Sequence, residues 1–260
     1  MGPQWRSQLP LLISHEHGRG ASRPPGHFDS HQLHRVHQWS VAVLRPLIAL
    51  TGFALMTSPS SAVASDEAFE FWFNPSVSTG LDENTGIEIE TAQRFRDADD
   101  GRADTYFARL WLNQQASDTV TVSGAFERRI NDGSANETRL IQQITTRHSI
   151  VRTRLRLEQR FVDSADRMGL RLRPRLGLSV PLDTDGRWSL KSDAELFLTL
   201  RSNNRGGDQG LTGLRTQVGI GYDFNDRLSI SAAYLRQQDF VDRGPDDVGH
   251  APVIGLEFAF

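Results

Sequence analysis

The sequence predicts an all-β protein: an antiparallel, up-and-down transmembrane β-barrel of about ten strands, with twelve as the alternative count. Three observations predict it. Apolar and polar residues alternate with a period of two from Gly86 to Phe260 and never settle into a helical period. The alternating runs are joined by short and long connections in turn, and the chain finishes on VIGLEFAF, an alternating segment with an aromatic last residue.

Composition narrows the class before any strand is placed. The 260-residue chain carries a net charge of -3 and no cysteine, so it has no global field for nucleic acid and no thiolate chemistry or disulfide framework. Hydrophobic residues make up 38% and no apolar run reaches the roughly 18 residues of a spanning helix.

The amino-terminal part divides in two. Leu44 to Met56 is apolar, Arg45 supplies a positive flank, and Ala62-Val63-Ala64 is a small-x-small cleavage triplet, so residues 41–64 read as a secretory signal peptide. Residues 1–40 hold His15, His17, His27, His31, His34 and His37 without a structural period. Because a signal peptide normally begins at the initiator, Met1 is read as a misassigned start, Val41 or Val43 as the true one, and 1–40 as a non-native or disordered extension.

In the mature chain the strands follow one another. Residues 65–85 contain FEFWFNPSVSTGL, an extra strand or a segment at the periplasmic mouth or in the lumen, and 86–260 form the barrel. Ile87, Ile89 and Phe95 share a face opposite Glu88, Glu90, Arg94 and Arg96; then come Tyr106 to Leu112, Val120 to Phe126 and Leu140 to Ile144. Leu155, Leu157 and Phe161 alternate with Arg152, Arg154, Arg156, Glu158 and Arg160, and Leu170, Leu172 and Leu176 with Arg171, Arg173 and Arg175. Leu190 to Leu200 alternate with Lys191, Asp193 and Glu195, and three strands follow around Val218, Ile230 and Leu256.

Length and polarity point to a membrane. Arg152 to Val162 and Gly169 to Leu182 reach the roughly nine to eleven residues of a tilted spanning strand, where soluble strands run to about five or six. Phe161, Phe197, Tyr222, Phe224, Tyr234, Phe240, Phe258 and Phe260 lie near strand ends, as interfacial girdles require. The leucine face is therefore assigned to lipid and the charged face to the lumen.

That assignment sets arginine against arginine on neighbouring strands, which destabilises a sheet unless acids compensate. Glu88, Glu90, Glu127, Glu158, Asp193, Glu195 and Glu257 point the same way. Cross-lumen salt bridges filling a narrow barrel are the structural reading; a passage or site for a small anionic solute is the functional one.

At the terminus, Gly255, Leu256, Phe258 and Phe260 resemble the signal that the barrel-assembly machinery reads. More widely, RLIQQITTRHSIVRTRLRLEQRFVD (Arg139 to Asp163), GLRLRPRLGLSVPL (Gly169 to Leu182), WSLKSDAELFLTL (Trp188 to Leu200) and the final strand resemble a proteobacterial outer-membrane family known as domain of unknown function 2490. The resemblance implies a barrel in the bacterial outer membrane and transfers no catalytic residues.

Catalysis finds little support. His148 is placed beside Ser149 in a short turn and His250 in a long loop, at opposite rims, and a Ser-His hydrolase needs nucleophile and base in hydrogen-bond reach. Asp97, Asp99, Asp100, Asp104, Asp242, Asp246 and Asp247 read as solvated loop acids, with no metal or cofactor expected. The expectation is a non-enzymatic barrel, a narrow Arg-lined passive channel or a structural and surface barrel, whose partners are outer-membrane lipid and the assembly machinery. A lipid-modifying hydrolase and a periplasmic lipocalin-like binding barrel are the alternatives.

Overall fold

The computed structural model describes residues 66–96, 104–242 and 244–260. The signal-peptide and extension assignments over 1–64 lie outside them, as do Asp97, Asp99 and Asp100. Every regular element among the described residues is a strand: β1 (Asp66–Gly80), β2 (Thr85–Arg96), β3 (Thr105–Ser117), β4 (Val120–Asn131), β5 (Glu137–His148), β6 (Val151–Val162), β7 (Gly169–Pro181), β8 (Trp188–Arg201), β9 (Gly210–Asp223), β10 (Leu228–Asp239) and β11 (Asp247–Ala259). Each pairs with its sequence neighbours, and β1 pairs with β11 to close the barrel, so no edge is left to recruit another chain.

The closure decides one reading and corrects another. Of the alternatives for residues 65–85 the extra strand is the one observed: Asp66–Gly80 is a full wall strand, and the barrel has eleven strands, neither ten nor twelve. Nor is the sheet wholly antiparallel, because β1 and β11 run parallel, from Asp66 opposite Asp247 to Ser78 opposite Ala259. LDEN (Leu81 to Asn84) is the short turn it looks like, so β1 has to descend from the long-loop rim. An even strand count forbids that direction; a parallel seam permits it, as in the odd-numbered mitochondrial barrel. The seam pairing lapses at Glu70 and Phe71, opposite Ala251 and Pro252, where proline has no N–H to give.

Alternation then sorts the side chains. Leu110 and Leu112 are each 53% exposed and Leu176 57%, whereas Glu127 and Glu158 are 0% exposed and Glu195 1%. The leucine face is outside and the charges are inside, the reverse of a water-soluble barrel. A small apolar cluster of Trp72, Leu235, Ala251 and Val253 lines the interior beside the seam.

Exposed rings form two bands. Trp188, Tyr222 and Phe224 pack together near the short turns, as do Phe258 and Phe260. At the long-loop end Phe71, Phe95 and Tyr106 form one group and Phe69, Tyr234 and His250 another. Two rings leave the pattern: Phe197 points inward and is 3% exposed, and Phe240 lines the interior at the long-loop end. Phe197 keeps the inward phase of Asp193, Glu195 and Thr199, and a register shift against β9 follows it at Leu198.

The short turns are closed locally. In the β1–β2 turn the Asp82 carboxylate accepts from the Asn84 and Thr85 N–H groups, which holds its pKa below the usual carboxylate value. Ser149 closes the β5–β6 turn with a φ of 51°. On β9 a side chain at Gly219 would meet the Ala232 carbonyl oxygen at 2.4 Å, so glycine lets β9 and β10 approach.

Candidate functional site

The register brings like charges face to face. Arg154 lies opposite Arg175 and Arg156 opposite Arg173 across β6 and β7, and Arg139 lies opposite Arg160 across β5 and β6. Three buried glutamates resolve the conflict. Glu158 accepts from Arg173 at 2.6 Å and from Arg171 at 2.9 Å, with Arg139 at 3.8 Å and Arg156 at 3.9 Å. Glu195, from β8, accepts from Arg154 and from Arg173 at 2.6 Å and lies 3.8 Å from Arg215. Glu127, from β4, accepts from Arg109 and from Arg129 at 3.1 Å and lies 3.5 Å from Arg139.

These hubs join into a belt. Arg139 connects Glu127 to Glu158, and Arg173 connects Glu158 to Glu195 through its two terminal nitrogens. The separated nitrogens of a planar guanidinium fork suit a bridge between two carboxylates. Glu90 extends the belt toward β2 by accepting from Arg109 at 2.6 Å and from the Trp111 ring N–H at 3.0 Å. Asp193 takes Arg175, and Glu137 takes Arg160 together with Arg139 at 2.6 Å. Arg156 donates to a neutral acceptor, the Gln143 side-chain oxygen, at 2.8 and 2.9 Å.

Two chambers flank the belt and share Glu90, Arg154, Arg156 and Arg175 in their walls. The smaller, about 200 Å³, lies toward the short turns with Glu88, Arg152, Lys191 and Glu257 around it. The larger, about 660 Å³, reaches the long-loop rim at Ser202, Asn203, Asp208, Phe240 and Val241. Twelve arginines but only four acids (Glu90, Glu195, Asp208, Asp239) line the larger one. Five further acids, Glu70, Glu127, Glu137, Glu158 and Asp193, reach those arginines from outside that lining. Among the described residues, twelve guanidinium groups thus stand beside nine carboxylates, and Arg94 pairs with none of them.

Rings hold part of this charge. Trp72 carries Arg94 at 3.8 Å and Arg215 at 5.0 Å; Phe107 carries Arg109 and Arg129, both at 4.9 Å. Phe197 lies under Arg173 at 4.6 Å, Arg215 at 5.0 Å and Arg171 at 5.2 Å. A ring face attracts a guanidinium while leaving its N–H groups for other acceptors.

The family model described as "Protein of unknown function (DUF2490)" matches residues 45–248. The chain belongs to that family. The DUF2490 match begins at Arg45 and ends at Val248, so it spans β1 to β10 and stops as β11 begins. No curated protein matches the chain.

All ten residues singled out on β6, β7 and β8 of this DUF2490 protein face the interior: seven line the larger chamber, Arg152 the smaller, and Glu158 and Asp193 meet the arginines from the wall. At the carboxyl end Leu256, Phe258 and Phe260 sit on the outer face, and Gly255 leaves room for the Ser231 hydroxyl, which a Cβ would meet at 2.5 Å. His250 and Asp247 belong to β11 instead of a loop, and the His250 ring takes a 2.6 Å hydrogen bond with the Tyr234 hydroxyl on the outer face. Sequence reasoning had not singled out Trp72, Phe107, Trp111, Arg109, Arg139 and Arg215. Continuing the two-residue phase from Tyr106 places Phe107, Arg109 and Trp111 inward; Arg215 sits in a glycine-rich strand where the phase is weak.

Proposed function

We propose that this protein is a non-enzymatic outer-membrane β-barrel whose lumen is closed at mid-height by the arginine–glutamate belt, leaving an arginine-rich chamber open to the long-loop rim. The observation that carries the reading is the reversed polarity: leucines bare on the outer wall, charges inside, and ring bands at both ends. Water does not tolerate a continuous apolar wall of that kind around a monomer, and lipid does. The signal-peptide grammar of residues 41–64 and the terminal Phe258 and Phe260 support delivery across the inner membrane and capture by the barrel-assembly machinery.

The belt favours a shut barrel over a passive pore. Its members are ion-paired in a continuous chain across β4 to β8, and separate cavities lie on either side of it. Two measurements test the proposal. Gel mobility that does not change on boiling would remove the membrane barrel. Steady conductance at low voltage in planar bilayers, by protein shown to be folded, would remove the closed belt and leave a narrow anion-selective channel in its place.

A further inference from the structure

The larger chamber is unevenly supplied with acceptors, and the shortage is concentrated at one place. Arg94 stands 3.8 Å over the Trp72 ring with no ion pair or hydrogen bond from its guanidinium among the described residues, and its Nε is buried without an acceptor. Arg215 shares the Trp72 ring and gives its hydrogen bonds to a neutral group, the Gln237 side-chain oxygen. Its nearest carboxylate, Glu195 at 3.8 Å, is already engaged by Arg154 and Arg173. Arg129 shares the Phe107 ring with Arg94 and shares Glu127 with Arg109 and Arg139. A guanidinium has five N–H donors and no acceptor, so these groups can satisfy one another in no way.

Beneath and beside these cations the wall is apolar. Trp72 and Leu235 belong to the apolar cluster beside the seam and also line the chamber. The space therefore offers cationic forks beside apolar surface, within a volume of about 660 Å³ that falls in the range of small-molecule sites.

We propose that this chamber binds the phosphate group of a small solute or of a lipid headgroup, held by Arg94, Arg215 and Arg129 and entered from the long-loop rim. Phosphate suits the site because its oxygens match several guanidinium forks at once and its double charge answers the local excess of cations. The inference concerns the interior alone and does not require the membrane reading.

The test uses the protein refolded in nonionic detergent, with heat-dependent gel mobility as proof of a closed barrel. Inorganic pyrophosphate is titrated against it by calorimetry, in parallel with micelles doped with a phosphomonoester lipid. Saturable binding, with Arg94→Gln and Arg215→Gln each weakening it at least tenfold and Arg128→Gln leaving it unchanged, is the expected result. Arg128 is a fair control because it pairs with Asp163 on the exposed side. Arg94→Gln removes a cation that has no carboxylate partner, so it should fold, and Arg215→Lys gives a second variant that keeps the charge and loses the fork. Binding of free pyrophosphate assigns a soluble source, and binding only in doped micelles assigns the lipid. A folded barrel that binds neither, or whose affinity both glutamine variants leave intact, overturns the proposal.

Discussion

Replacing Glu158 by glutamine tests the belt where it is most exposed to failure. The side chain is 0% exposed and lies within reach of Arg173, Arg171, Arg139 and Arg156, so the change keeps the shape and deletes the charge that four guanidinium groups share. Removing one partner of a buried ion pair costs about 3–5 kcal/mol because the other charge stays buried and uncompensated. Arg171 borders the larger chamber and Arg173 keeps Glu195, which places the expected loss near the lower end, about 3 kcal/mol. With a urea slope of about 2 kcal/mol per molar, the unfolding midpoint should fall by roughly 1.5 M. The assay is tryptophan fluorescence of the refolded barrel across a urea series, with Asp163→Asn as reference. The Arg128–Asp163 pair is about half exposed, and its loss should cost under about 1 kcal/mol. If Glu158→Gln shifts the midpoint no more than Asp163→Asn does, the belt contributes nothing to holding the barrel, and the lumen arginines must be neutralised by something else.

Leu110→Arg, on the bare outer wall, should destabilise protein refolded into lipid vesicles by about 2–4 kcal/mol if that wall faces the bilayer midplane. The same change on a water-exposed wall would be close to neutral, so an unaltered midpoint would count against a membrane setting. Gly219→Val should cost about 1–3 kcal/mol, because its Cβ has to displace the Ala232 carbonyl; unfolding at the wild-type midpoint would show that β9 and β10 can part freely there. Phe258→Ala together with removal of Phe260 should lower the amount of heat-modifiable protein in outer-membrane fractions several-fold while leaving refolding in detergent intact. A parallel loss in detergent would mean that the two rings hold the fold and do not act as an assembly signal.

Much of this architecture is legible in the chain because a barrel wall obeys one rule, and residues such as Leu155 and Arg156 cannot exchange faces without turning the whole strand over. The arginine ladder on β6 and β7 follows from that rule alone. Its neutralisation does not. Glu158 and Glu195 are visible as inward acids, but which arginines each serves depends on register across β6, β7 and β8, including the shift at Leu170 and Arg171. Phe197 shows a different limit: its two-residue phase from Asp193 and Glu195 points inward, its place near a strand end reads as an interfacial ring, and the arginines above it come from other strands. The first strand was legible in direction but not in place, because its partner lies at the far end of the sequence and no local pattern announces a pairing at that distance.

That pairing has a consequence for how the molecule is made. β1 is the first strand to be synthesised and β11 the last, so one edge of β1 waits for the whole of the remaining chain before it finds its partner, and closure carries the longest loop entropy the fold contains. An odd number of crossings also puts the start of β1, at Asp66, at the rim where the long loops lie, and the end of β11, at Ala259, beside the short turns. Assembly in a bilayer would then have to carry the start of β1 across together with the long loops and keep back the end of β11, a division of labour that a barrel built only of hairpins never faces.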